Sequence, residues 1–358
     1  MKTLFLSLLI VAPTLLAQRP APLVSPEVLP DGGVTFRFKA PKANEVKVAG
    51  QFGADAALTK DDKGVWSVTV PTVPAGVHEY HFSVDGLNVI DPQNSALKPQ
   101  RWPGSNILHI PATPPARWDW QDIPHGVVHV HSYASKALGK PRRILVYTPP
   151  VADGPLPVLY LAHGYSDDER TWSVHGKAPW IMDSLIAEKK AVPMIIVMPD
   201  AHAIPPGATG FEDYGPANSE ALCRELVEDI IPLVEAGYKV NAKPEARAFA
   251  GLSMGGHHAL TVALNHHDKF GWVGAFSSAP PPEKSVTAGL TNAEATNRDL
   301  KLLWIACGTK DFLFKRNNEF TTLLKEKGIK HEYVETEGDH SWPVWRRYLT
   351  EFAPKIFR

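Results

Sequence analysis

The sequence has only two cysteines, Cys223 and Cys307, in 358 residues. One disulfide cannot staple a chain this long, so the fold must rest on buried apolar surface. Cys307 ends the apolar run Leu302-Leu303-Trp304-Ile305-Ala306 and reads as a buried free thiol. A Cys223–Cys307 bridge would be allowed in an exported protein, but nothing local argues for it. Net charge is also missing. Lys+Arg is 37 and Asp+Glu is 38, a formal charge of -1. That balance lacks the clustered positive charge of a nucleic-acid-binding surface. Long hydrophobic runs are absent after the start. Lys2 precedes the apolar run Thr3–Ala17, broken by Pro13. About fifteen apolar residues is short for a bilayer span but suits a signal peptide. The expectation is a signal peptide over residues 1–17, no membrane span in the mature protein, and a secreted or periplasmic location. Leu15, at minus three from that cleavage point, departs from the small-residue rule.

What is abundant is proline, 33 residues, with 18 of them in residues 1–150. A proline-rich first part and a leaner second part point to two architectures. At 44% hydrophobic and 21% charged, the chain is not disordered. Residues 27–112 read as β. Val34–Phe38, Glu45–Val48, Val65–Val70 and Val77–Val84 alternate, and Asp85-Gly86 signals a tight turn. Short strands between Gly, Pro and Asp punctuation predict a β-sandwich. Residues 113–123 lie in a segment, Pro111 to Pro124, with four prolines and two tryptophans, which reads as a linker.

From residue 124 to 358 the pattern becomes α/β. Apolar runs Ile144–Tyr147, Val158–Ala162, Met194–Met198, Ala246–Ala250, Trp272–Phe276 and Leu302–Ala306 read as buried strands. Helical stretches such as Ser219–Glu235 and Asn317–Lys327 separate most of them, with a last helix over Val344–Phe357. Strands alternating with helices predict a parallel sheet covered on both faces.

Gly251-Leu252-Ser253-Met254-Gly255 matches G-x-S-x-G. The strand run Arg247–Ala250 precedes it and the helical stretch His257–Asn265 follows. This is the context of a nucleophile elbow, where a strained turn lifts the serine to a helix start. Serine is a poor nucleophile until a base, itself oriented by a third group, takes its proton. Chain order in the α/β-hydrolase fold is serine, acid, histidine. Asp311 follows the Leu302–Ala306 strand, and His340 lies in Gly338-Asp339-His340-Ser341-Trp342. Ser253 is then the nucleophile, His340 the proton shuttle and Asp311 the orienting acid. Asp339 competes for the last role, but neighbouring side chains seldom converge. The oxyanion hole needs two backbone N–H donors. Met254 should give one. Tyr165, with Gly164 second, should give the other from the loop after Leu159–Gly164.

These segments resemble carbohydrate esterase family one and the related esterase-D-like enzymes. That group includes feruloyl and acetylxylan esterases, with enterochelin esterases as relatives. The resemblance rests on RRILVYTPP, VLYLAHGYSDDERTW, VPMIIVMPDAHA, the Glu225–Pro232 run, AFAGLSMGGHHAL, WIACGTKDFLF and GDHSWPVWRRYL. It implies the same triad, Ser253, Asp311 and His340, and oxyanion donors at Tyr165 and Met254. Asp339 departs from it, because relatives commonly carry a second glycine there. Residues 27–112 resemble the family-48 carbohydrate-binding modules through Gly64-Val65-Trp66, Gly76–Asp85 and Asp91-Pro92, which implies an early-set immunoglobulin-like β-sandwich.

Trp172 and Trp342 lie near the catalytic loops and are candidate substrate contacts, whose faces could stack on a sugar or a phenolic acyl group. Trp345 is a weaker one, and Trp66 reads as core. Fifteen histidines include His125, His129, His131, His257, His258, His266 and His267, but none has the spacing of a strong metal motif. No metal or cofactor is expected. The expected activity is hydrolysis of feruloyl or acetyl esters on a plant-type polysaccharide or its oligosaccharides. A siderophore or other small-ester esterase shares the triad and stays open, as does a vestigial glycan-binding protein. Acyl specificity and oligomeric state are not encoded in any motif.

Overall fold

The computed structural model describes residues 22–205 and 211–358. The expected signal peptide lies outside the described residues.

The N-terminal strands form two antiparallel sheets. One runs Glu27–Val28, Val34–Lys39, Val65–Val70, Thr59–Lys60. The other runs Ala56–Ala57, Val46–Gly50, Gly76–Val84, Leu87–Val89, and Asn106–Ile110 pairs with the first half of Gly76–Val84. Alternation along these strands sends Val34, Phe36, Val46, Val48, Tyr80 and Phe82 into one core. Trp66 is buried there, and its indole N–H donates to Ala40 O at 2.8 Å. Asp85 and Gly86 both take positive φ, 48° and 86°, as a type I′ hairpin turn requires.

The second architecture is an eight-stranded sheet. Its strands are β1 (Val127–Ser135), β2 (Lys140–Thr148), β3 (Val158–Ala162), β4 (Ile195–Pro199), β5 (Arg247–Leu252), β6 (Trp272–Phe276), β7 (Leu302–Gly308) and β8 (Glu332–Thr336). Their spatial order is β1-β2-β4-β3-β5-β6-β7-β8. The chain is an α/β-hydrolase fold behind an immunoglobulin-like sandwich. The sheet is mixed, which corrects the expected all-parallel one. β1 and β2 form an antiparallel hairpin, and β2 runs antiparallel to β4. A short turn after Ser135 leaves no room for a crossover helix, so β2 must reverse.

Consecutive residues of the central strands face opposite layers. Tyr160 joins the core under the helices Phe211–Glu225, Met254–Asn265 and Phe314–Glu326. Leu159 and Leu161 join the core under Ala178–Ala187 and Trp342–Phe352. Burial on both faces explains the uninterrupted apolar runs. The helix Phe211–Glu225 begins earlier than the expected Ser219 and runs through Pro216. The last helix ends at Phe352 rather than Phe357, before Pro354. Both thiols are free and buried, so no disulfide joins them. Burial pushes each up to about 12.

Candidate active site

Ser253, Asp311 and His340 sit on loops at the C-terminal ends of parallel strands β5, β7 and β8. Loops there converge at one edge of the sheet. Ser253 takes φ 53° and ψ -110°, a strained conformation for a residue with a side chain. Three bonds hold it: its N–H donates to Phe276 O at 2.9 Å, and its carbonyl accepts from His257 N–H at 3.0 Å and Ala279 N–H at 3.2 Å. The elbow glycines are required by close approach. A Cβ on Gly251 would meet Gly255 backbone at 2.5 Å, and one on Gly255 would meet Ala162 O at 2.5 Å.

The three side chains form one row. His340 Nε2 lies 3.0 Å from Ser253 Oγ, and His340 Nδ1 lies 2.9 and 3.0 Å from the Asp311 oxygens. A carboxylate accepts only, so Nδ1 carries the ring proton and Nε2 is left to accept from the serine hydroxyl. Asp311 is buried and is oriented by the Leu313 N–H, at 2.8 Å. Phe312 lies over the imidazole with centroids 4.5 Å apart, and the Trp345 ring meets its edge at 4.9 Å. The acid and histidine loops are strapped together by Lys310 N–H donating to Gly338 O at 3.0 Å. Asp339 is exposed and accepts from the Ser341 hydroxyl at 2.5 Å, turned away from the imidazole.

The N–H groups expected to serve as oxyanion donors differ in whether they are already engaged. Gly164 packs against Ser253: a Cβ there would lie 3.6 Å from Ser253 Cβ. Its N–H points to Asp167 Oδ2 at 3.4 Å. Tyr165 and Met254 N–H have no protein acceptor among the described residues. Met254 is the first residue of its helix, where no intrahelical acceptor exists. The Tyr165 carbonyl accepts from His202 Nε2 at 2.9 Å, while His202 Nδ1 faces the Tyr214 hydroxyl at 2.5 Å. Burial holds the His202 pKa near about 3, so its ring is neutral and its single proton faces Tyr165.

The two tryptophans expected at the substrate are elsewhere. Trp172 and Trp342 are buried and pack edge to face with centroids 5.0 Å apart. Trp172 donates its indole N–H to Ala162 O at 3.0 Å. Apolar faces this large fill the layer under the sheet instead of lining the mouth. The exposed aromatics around the site are Phe312, 75% exposed, Tyr165 and Trp102. Phe312 could have been found, since it follows Asp311 directly. Arg101 and Trp102 could not, because no local signal ties them to residue 165. Among the described residues no three His, Cys, Asp or Glu side chains gather as a metal site. No helix among them is long and apolar enough to cross a membrane.

Comparison with known proteins gives two family matches. Residues 135–356 match the family model described as "Putative esterase", and residues 24–99 match carbohydrate-binding module 48 (isoamylase N-terminal domain). An endo-1,4-beta-xylanase/feruloyl esterase of Xylanibacter ruminicola is 32% identical over 347 residues, 93% of this chain. The chain spans only 46% of that protein's length. An acetyl esterase of Caldicellulosiruptor saccharolyticus is 24% identical, over 54% of this chain and 80% of its own. The solved ferulic acid esterase of Anaeromyces mucronatus superposes with TM-score 0.57 and 26% identity, over 68% of this chain and 96% of its own. The enterobactin esterase of Shigella flexneri has the same overall fold. It superposes with TM-score 0.63 at 19% identity, over 90% of this chain and 92% of its own.

Proposed function

Because the chain belongs to the esterase family, we propose that it is a carboxylic ester hydrolase working through an acyl-enzyme on Ser253. The observation that carries this reading is the row from Ser253 Oγ through His340 to Asp311, with bonds of 3.0 and 2.9 Å. Ser253 Oγ attacks the ester carbonyl carbon while its proton passes to His340 Nε2. Negative charge on the former carbonyl oxygen meets the Tyr165 and Met254 N–H groups. The imidazolium, held by Asp311, then protonates the departing alkoxide. Water repeats the sequence in reverse and frees the acid and Ser253. The chemistry needs no metal and no cofactor.

The proposed substrate is a feruloyl ester, and second an acetyl ester, of a plant-type polysaccharide or oligosaccharide. Support comes from the names of the relatives and from the carbohydrate-binding module match at residues 24–99. The aromatic rings of Phe312 and Tyr165 beside the site suit a phenolic acyl group or a sugar face. A large insoluble substrate fits export of the protein, which the apolar start of the sequence supports.

A panel of methyl ferulate, acetylated xylan and a catecholate lactone tests the substrate class. Cleavage of the lactone alone would replace the polysaccharide reading with a siderophore one. Ser253→Ala should abolish hydrolysis of p-nitrophenyl acetate; retained turnover would overturn the assignment of the nucleophile.

A further inference from the structure

The segment after the sandwich's Leu87–Val89 strand reaches the oxyanion loop. Arg101 N–H donates to Ser166 O at 2.9 Å, and its guanidinium donates to Tyr165 O at 3.2 Å. The guanidinium lies 4.1 Å from the centroid of Trp102 and 4.9 Å from that of Tyr165. Two residues earlier, Pro99 O accepts from the Thr171 hydroxyl at 2.6 Å. Lys98 Nζ sits between Glu79, at 3.1 Å, and Asp167, at 3.6 Å. Asp167 in turn faces Gly164 N–H. A second strut reaches the histidine side. Arg346, on the helix that starts two residues after His340, donates to Val77 O at 3.0 Å and to His175 O at 2.9 Å.

The two Arg101 contacts fall on backbone carbonyls of the loop that carries a proposed oxyanion donor, Tyr165 O and Ser166 O. Tyr165 carries a proposed oxyanion donor, and its carbonyl has two partners: His202 from its own unit and Arg101 from the N-terminal one. A tether to bulk polysaccharide needs no bond to this loop. We propose that the N-terminal unit takes part in the chemistry: its segment 98–102 splints the oxyanion loop, and Arg101 is a positioning residue for the Tyr165 N–H. Arg101 touches no reacting atom in this role. It fixes the peptide planes on either side of Ser166; the first of them adjoins, through Tyr165 Cα, the Gly164–Tyr165 plane that carries the donor N–H, which limits that plane's freedom before charge develops.

The inference rests on the acyl-enzyme reading above and is tested separately from it. Arg101→Met keeps the aliphatic stem between the two rings and removes the donors; Arg101→Ala serves if the methionine variant folds poorly. Full-length enzyme is assayed with p-nitrophenyl acetate, which is too small to need a glycan platform. The expected result is a fall in kcat of at least about tenfold with KM changed less than about twofold, since small misplacements of catalytic groups cost rate. Affinity for a phenylboronic acid should fall in parallel, because its tetrahedral adduct on Ser253 places an oxygen in the oxyanion hole. Melting temperature should stay within a few degrees. Unchanged kcat on the small ester would overturn the proposal, and a rise in KM confined to feruloylated oligosaccharide would assign Arg101 to substrate binding instead. Ser253→Ala in the same series reports on the triad alone. Its loss of activity beside an unaffected Arg101 variant would sink this inference and leave the acyl-enzyme reading standing.

Discussion

Ser253 and its two partners place different demands on their own positions. The serine must hold φ 53°, so its neighbours, not its own propensity, keep it there. Asp311 must be buried and turn both oxygens toward His340, and the acid loop gives it a supporting N–H from Leu313. Asp311→Asn keeps the shape but removes a pure acceptor, which lets the imidazole take the wrong tautomer. The expected fall in kcat is about ten-thousand-fold, by analogy with other serine hydrolases. Asp339→Gly should leave kcat within about threefold, because its carboxylate faces Ser341 and not the imidazole. Steady-state kinetics on p-nitrophenyl acetate separates the two. A mild Asp311→Asn beside a severe Asp339→Gly would reverse the assignment of the acid. This residue-scale logic is also what made the three positions legible: each lies in a short motif whose local chain order limits the candidates to one or two. Trp172 and Trp342 lie outside the reach of that logic, being buried against each other. Proximity in sequence to a catalytic loop says nothing about which way a large apolar ring faces.

At the scale of the element, the elbow is a contact between backbones. The helix Met254–Asn265 begins so close to the end of β3 that Gly255 has no space for a methyl group, 2.5 Å from Ala162 O. Gly255→Ala should destabilise by about 1–3 kcal/mol, as overpacking does, and should also lower kcat by shifting the Met254 N–H. Gly237→Ala is the control, because nothing lies within 4 Å of the added carbon. Thermal melts and kcat on both variants check the pair; equal effects would mean that the elbow tolerates the methyl group. The elbow, the central strands and the hairpin turn at Asp85-Gly86 could all be read from the sequence because their constraints act within a few residues. The limits of Phe211–Glu225 could not. Gly215-Pro216 carries the local signal of a break, yet Tyr214, Leu222 and Leu226 are buried in one layer, and packing of that face overrides the signal. The reversed direction of β2 was hidden likewise, since a strand's apolar pattern does not record which way its neighbours run.

Across the whole molecule, the seam between the sandwich and the hydrolase fold carries buried charge that no motif announces. His175, fully buried, lies 3.3 Å from Glu79 and against the Trp342 ring. Lys98 and Arg346 face the same cluster. Burial outweighs the attraction of Glu79 and lowers His175 to about 4, from an ordinary 6.5. Glu79 is lowered to about 2, because His175 and Lys98 outweigh its own burial. Both folded values lie below the unfolded ones, so both groups stabilise the fold at neutral pH and lose that contribution as pH falls. The windows differ. His175 acts from about 6.5 down to about 4, and Glu79 from about 4.5 down to about 2. The His175 shift corresponds to roughly 3 kcal/mol at 1.36 kcal/mol for each unit. His202 and His257 are also held low by burial and titrate the unfolded chain in the same range. Melting the wild type alone therefore cannot isolate one group. His175→Gln, which stays neutral, can: its melting temperature should fall less than the wild type's between pH 7 and pH 4.5, and the two curves should converge as pH falls. Parallel curves across that range would show that His175 is not the buried neutral group at the seam. Convergence confined to pH below about 4 would instead assign the acid sensitivity to Glu79.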